Sequence, residues 1–203
     1  MMQKRYVLIL VSVFNFGLII AQNSNPTSTL TDPRDGRTYK TITISKQTWM
    51  AENLNFEIKD NSWCYENKDS NCVIYGRLYN WDAAKNSCPS GWHLPSDNEW
   101  KKLEENIGVQ NSELDIVGYR GSDQGTQLKK GGNSGFDVQM AGFRLWWDGT
   151  FHYLGNYADF WTSTSSNEDE AWLRDFSIND RTIYRNRINK KYGNSVRCLK
   201  DSE

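Results

Sequence analysis

Trp81-Asp-Ala-Ala-Lys-Asn-Ser-Cys88-Pro-Ser-Gly-Trp-His-Leu-Pro-Ser-Asp-Asn-Glu-Trp100 reads as the end of one helix, a cysteine at its edge, a tight corner and the start of a second helix. Ser96 and Glu99 form an S-x-x-E capping box, with Pro95 just outside it and Trp100 opening an apolar face. Leu78, Trp81 and Ala84 step along one side of a first helix expected over Gly76 to Ser87. The second is expected from Ser96 to about Asn106, with Trp100, Leu103 and Ile107 apolar and Gly108 as its C-terminal cap. Cys88 stands at the corner. If it is oxidised, a partner before or after the corner fixes the architecture.

Working outward, Asp32-Pro33-Arg34-Asp35-Gly36 is turn chemistry, and Thr38–Ile44 followed by Gln47–Met50 reads as a hairpin. Asn53 to Lys68 is irregular, and 111–135, rich in Gly, Ser, Asp and Gln, reads as a long loop. From Phe136 onward the pattern is β: Leu145-Trp146-Trp147 and Thr150–Leu154 flank Asp148-Gly149, a strong hairpin signal. Phe160–Thr164, Ala171–Ile178, Thr182–Ile188 and Ser195–Leu199 complete the strands. The fold class is therefore α+β, with two helices and a mostly antiparallel, twisted sheet with long loops.

Residues 1–21 have the form of a secretory signal peptide: Lys4 and Arg5, an apolar run from Val7 to Ile20, then the small Ala21. That run is short for a spanning helix, so no membrane insertion is expected after cleavage. The first cysteine is Cys64, so no lipid anchor is expected either. Residues 22–31 read as a flexible leader and 32–203 as a single domain. Without Lys4 and Arg5 the net charge is about −3, which gives no footprint for nucleic acid or anionic lipid. Four cysteines in an exported chain imply two disulfides, with three pairings open. Cys64 and Cys72 sit among residues suited to a surface loop, which would leave Cys88 and Cys198 as the long-range pair.

Several segments resemble signature stretches of the Fibrobacter succinogenes major paralogous domain: Asp35–Thr41, Gln47–Asn55, Tyr75–Trp81, Cys88–Ser96, Trp161–Thr164 and Ser195–Cys198. The resemblance runs from about Asp32 to Asp201. It implies a C-type lectin-like fold, in which a cysteine after the first helix bonds one in the last strand, and a secreted or surface-exposed bacterial domain without a settled activity. The Glu-Pro-Asn, Gln-Pro-Asp and Trp-Asn-Asp calcium signatures of sugar-binding lectins are missing, and so are motifs of the similarly folded formylglycine-generating enzymes. With all four cysteines assigned to disulfides, copper chemistry is not expected.

No catalytic constellation emerges. His93 reads as a corner histidine bonded to nearby backbone, and His152 as surface polar. Ser163 and Ser165 lack the strand–turn–helix context of a nucleophile. Asp123, Glu168, Asp169 and Glu170 read as exposed acidic loop with room for a structural calcium ion; no other cofactor is implied. Trp146 and Trp147, adjacent in a strand, should point to opposite faces. Trp147, Tyr153, Tyr157, Arg174, Tyr184 and Asn186, with Arg185, Arg187 and Asn189 nearby, are the candidate ligand-binding residues, because stacking plus bidentate polar contacts holds sugars and peptides. The expectation is a secreted, non-enzymatic binding domain, extracellular, cell-surface or periplasmic, whose partner is a glycan or another surface protein. The alternatives are an enzyme acting on extracellular polysaccharide and a structural envelope module.

Overall fold

The computed structural model describes residues 25–202, so the expected signal peptide lies outside it. Thr27–Thr31 (β1) pairs antiparallel with Thr38–Ile44 (β2), which turns at Ser45-Lys46 into Gln47–Met50 (β3). The hairpin is as expected. The leader is not: half of residues 22–31 forms β1, whose mostly exposed side chains gave no alternation to read. Ser62–Trp63 (β4), within the stretch expected to be irregular, pairs with Leu78–Tyr79 (β5), within the first expected helix, and between them runs a short helix, Asp69–Tyr75 (α1).

The first expected helix is cut down to Trp81–Lys85 (α2), with the Asn80 side chain accepting from Ala83 N–H as its cap. Gly76 explains the shortening. It takes φ +73°, and a Cβ there would meet the Leu54 carbonyl oxygen at 2.8 Å, so it ends α1 and cannot start a helix. The corner carries Trp92–His93 (β6). Asp97–Asn106 (α3) then starts from the full Ser96/Glu99 capping box. The expected loop over 111–135 contains Gly118–Arg120 (β7) and Gln124–Leu128 (α4). Phe143–Arg144 (β8) pairs with Phe151–His152 (β9), and Tyr157–Ser165 (β10), Glu170–Ser177 (β11), Ile183–Asn189 (β12) and Leu199–Lys200 (β13) follow.

Two main antiparallel sheets result, ordered β1-β2-β3-β13-β6 and β10-β11-β12-β7. The core between them gathers Ile42, Trp49, Trp100, Phe136, Phe160 and Phe176, with the Trp49 and Trp100 rings 5.0 Å apart. Burying each such side chain contributes roughly 2–3 kcal/mol. A second cluster, with Tyr79, Trp81, Leu94, Trp161, Leu173 and Val196, packs α2 against the other face of β10.

Charge is buried along with the aromatics. Asp97 and Glu104 on α3 meet Arg174 on β11, Arg185 on β12 and Arg120 on β7, with Asp97 2.7 Å from Arg174 and 2.8 Å from Arg185. The disulfides are Cys64–Cys72 and Cys88–Cys198, with Cα atoms 4.9 Å and 5.9 Å apart. The long bridge ties the end of α2 to the segment entering β13.

Candidate functional site

Opposed residues of antiparallel strands share a face. On one face of the second sheet the register places Asp159 opposite Asp175, Asp175 opposite Tyr184, and Tyr184 opposite Tyr119. Tyr157 stands two residues before Asp159, and Asn186 two residues after Tyr184 on the same face. The end of this face near Trp161 and Leu173 is covered by α2; the end near Tyr157 is open.

The β8–β9 hairpin flanks the open end. Its turn is longer than expected: Leu145 N–H donates to Thr150 O at 2.8 Å, and the Asp148 carboxylate accepts from Thr150 N–H and Oγ. Trp146 and Trp147 therefore lie in the turn and not in a strand, and both are exposed, not one in and one out. Their rings meet edge to face at 5.9 Å, and Trp147 meets Tyr192 at 5.6 Å. Tyr192 leads to Phe143 at 6.3 Å, Phe143 to Tyr153 at 5.6 Å, and Tyr153 to Tyr157 at 5.1 Å. Tyr153 adopts φ +62°, unusual for a bulky residue, and its carbonyl accepts from the N–H groups of Asn156 and Tyr157. Across the face Tyr119 and Tyr184 pair at 4.6 Å. Exposure is high for an aromatic surface: 43 % for Trp146, 56 % for Trp147, 54 % for Tyr153 and 62 % for Tyr119.

Of the expected ligand-binding residues, Trp147, Tyr153 and Tyr157 come together in this aromatic string, while Tyr184 and Asn186 sit farther along the same sheet face. Arg174 does not belong. It is 0 % exposed on the opposite face, held by Asp97 and Glu104. Arg185 is likewise committed to Asp97, with its guanidinium 3.6 Å over Trp172, and only Arg187 stays exposed, beside Glu170. Phe143, Tyr119, Tyr192 and the two aspartates were not foreseen. The readable sign was Asp159 in the middle of an otherwise apolar strand, Tyr157-Ala158-Asp159-Phe160-Trp161.

Burial pushes Asp159 well above the usual carboxylate range, with the Asp175 charge adding to it. Burial and then Asp180 push Asp175 up to about 6. The opposite happens at Asp97, where hydrogen bonds and charge from Arg185 and Arg174 outweigh burial and hold the carboxyl far below its ordinary value.

His93 bonds carboxylates and not backbone: Nδ1 lies 2.6 Å from Asp201 and Nε2 3.0 Å from Glu99. Burial pulls its pKa down, but the two carboxylates outweigh that and raise it. A cavity of about 520 Å³ opens beside it, lined also by Gln47, Lys102 and Lys200. His152 Nε2 lies 2.8 Å from Thr150 Oγ in the hairpin. Ser163 N–H donates to Pro95 O and Ser165 Oγ to Asn167 O, with no base beside either hydroxyl. In the acidic turn, Lys190 Nζ donates to the carbonyls of Asn167 and Glu168, while Asp123 is distant in sequence and accepts from Gln127. Among the described residues no group of three or more His, Cys, Asp or Glu is placed to hold a metal ion.

The molecule is thus an antiparallel α+β domain, closed by two disulfides, that displays an aromatic face beside an acid pair, Asp159 buried and Asp175 half-buried. Residues 42–200 match the sequence profile described as the Fibrobacter succinogenes major domain, and the chain belongs to that family. No curated protein and no solved structure matches it.

Proposed function

We propose that this is a secreted, non-enzymatic binding domain of C-type lectin-like architecture that holds a glycan on the aromatic face running from Trp146 to Tyr157. The observation that carries the reading is the continuous string of edge-to-face and tilted ring contacts Trp146–Trp147–Tyr192–Phe143–Tyr153–Tyr157, in which Trp146, Trp147 and Tyr153 are exposed. Aromatic rings offer apolar area with few rotatable bonds, and their faces stack on the C–H faces of pyranose rings. The architecture is supported by the two antiparallel sheets and the bridge from the end of α2 to the last strand. Export is supported by the two disulfides and the basic–apolar N-terminus.

A glycosidase reading needs two carboxyls that both reach the sugar, about 5–10 Å apart. Asp159 and Asp175 are direct cross-strand neighbours, but Asp159 is 5 % exposed, so the pair does not present two carboxyls to a substrate. A broad glycan and protein array probed with the mature domain tests the proposal. The expected result is glycan binding that falls at least about tenfold in Trp147→Ala and in Tyr153→Ala, with unchanged melting temperature. Binding only to proteins, or turnover of a polysaccharide, overturns it.

A further inference from the structure

We propose that the aromatic face is built for an amine-bearing saccharide, whose ammonium group docks on Asp175 with Asp159 and Asn194 behind it. This rests on the glycan reading of the face and names the charge class of its ligand.

Three observations lead to it. The first is the acid pair. Asp159 and Asp175 are opposed on adjacent strands on the face that carries Tyr157, Tyr184 and Tyr119. Like-charged residues directly opposite one another destabilise a sheet, so their retention beside exposed aromatics needs a reason. The titratable groups that share this face with the pair or act on it are acids and phenols: Tyr157 from β10, Tyr184 from β12, Tyr119 from β7, Tyr192 from the loop before β13, and Asp180 beyond the end of β11. Lys129, near Asp180, gives its ammonium to the backbone carbonyls of Ser177, Ile178 and Asp180. Among the described residues, no cation offsets the charge of either carboxylate.

The second is a set of unpartnered atoms. Asp159 is 5 % exposed and its Oδ1 has no hydrogen-bond partner. Ser195 runs parallel to β10 beside Phe160, which puts Asn194 next to Asp159 and on the same face. Asn194 is 0 % exposed, and both its Oδ1 and its Nδ2 are unpartnered. Buried polar atoms left this way are uncommon and destabilise the fold unless water or a ligand satisfies them. Two of the three are acceptors, and together with the Asp175 carboxylate they ask for a donor-rich group. An ammonium supplies three N–H donors and no acceptor.

The third is the surround. Phenol and indole faces attract cations when these are partly desolvated. Tyr157 and Tyr184 flank the acid pair along the sheet, and Tyr192, whose phenol is pushed up by burial and then by the Asp159 charge, connects the pair to Trp147. Asp175 is half-buried, with its proton leaving at about 6, so it is the charged and reachable member at neutral pH. A uronic or phosphorylated sugar would place like charge against it.

The experiment titrates the mature domain with oligomers of glucosamine, of N-acetylglucosamine and of galacturonic acid by calorimetry at about pH 6.5 and low salt, where exposed-charge effects are least screened. The expected result is about tenfold tighter binding of the glucosamine oligomer than of its N-acetylated counterpart, with the galacturonate weakest. Asp175→Asn should equalise the first two and leave the N-acetylated affinity in place, while Trp147→Ala should weaken both by a similar factor. Because burial already favours the neutral form of Asp175, the asparagine variant keeps the fold, which its melting curve reports. Equal affinities in the wild type, or preference for galacturonate, overturn the proposal. If the N-acetylated oligomer binds through Trp147 and the amine adds nothing, the aromatic-face reading stands and this one falls. If none of the three binds, this one falls, and the glycan array decides the other.

Discussion

Asp97 and Asp175 are the same residue type in opposite settings, and their settings predict opposite pH effects. Asp97 is held by Arg174 and Arg185, so its pKa falls on folding. Its contribution to stability is full above about pH 4, the unfolded value, and is lost as the pH drops below it. Asp97→Asn leaves two buried guanidiniums short of a carboxylate, and should cost roughly 3–5 kcal/mol at neutral pH, seen as a lower urea midpoint with an unchanged slope. Asp175 binds its proton more tightly folded than unfolded, with its pKa at about 6. It therefore lowers stability as the pH rises from about 4 through about 6, and Asp175→Asn should raise the melting temperature at pH 7.5 and leave it unchanged at pH 4. An equal shift at both pH values would refute that assignment. Neither role was legible. Alternation along β11 places Arg174 on the same side as Phe176, but only the contact with α3, through Asp97 and Glu104, shows that this side is the buried one. Arg174 was thus read as a ligand contact when it is a core cation.

At the scale of elements, what the sequence revealed was what local chemistry alone decides. The Ser96/Glu99 box, the β2–β3 hairpin and the Asp148-Gly149 turn all formed where their residues demand, because each is closed by hydrogen bonds within a few residues. The elements that were missed depend on distant partners. β7 exists because β12 pairs with it, and α4 because Thr126 N–H finds Arg181 O across the fold. The disulfides divide in the same way, closing loops with sequence separations of 8 and 110 residues. On the loop-entropy account, Cys64→Ser/Cys72→Ser should cost about 2.5 kcal/mol and Cys88→Ser/Cys198→Ser about 4.7 kcal/mol. Guanidinium unfolding of the two double variants checks the order. A larger loss from the short bridge would mean that α1 and its neighbours, not the closure of the whole chain, carry the stabilisation.

Across the whole molecule, the first sheet holds both ends of the domain, with β1 at one edge and β13 between β3 and β6. The start of the domain was misplaced at Asp32 because β1 is polar and buries almost nothing; its side chains are largely exposed. What β1 supplies is backbone pairing along β2 from Thr38 to Ile42, with Thr27 opposite Ile42 and Thr31 opposite Thr38. Without it, β2 becomes an open edge of alternating β-branched residues, the kind of edge that pairs with another chain. The site shows the same limit. Its aromatics were legible as residues, but the string they form depends on the bridges of Arg144 to Gly193 and of Gly142 to Ala158, which bring Tyr192 and the hairpin beside β10. These considerations separate two effects of truncation. A chain beginning at Asp32 should keep its glycan-face affinity, since β1 pairs only with β2 and not with the strands that carry the aromatic string, yet lose stability by about 1–3 kcal/mol and self-associate as its concentration rises. A chain beginning at Asn25 should do neither. Sedimentation velocity and melting curves on the two chains decide the matter: equal behaviour would return β1 to the status of a dispensable leader.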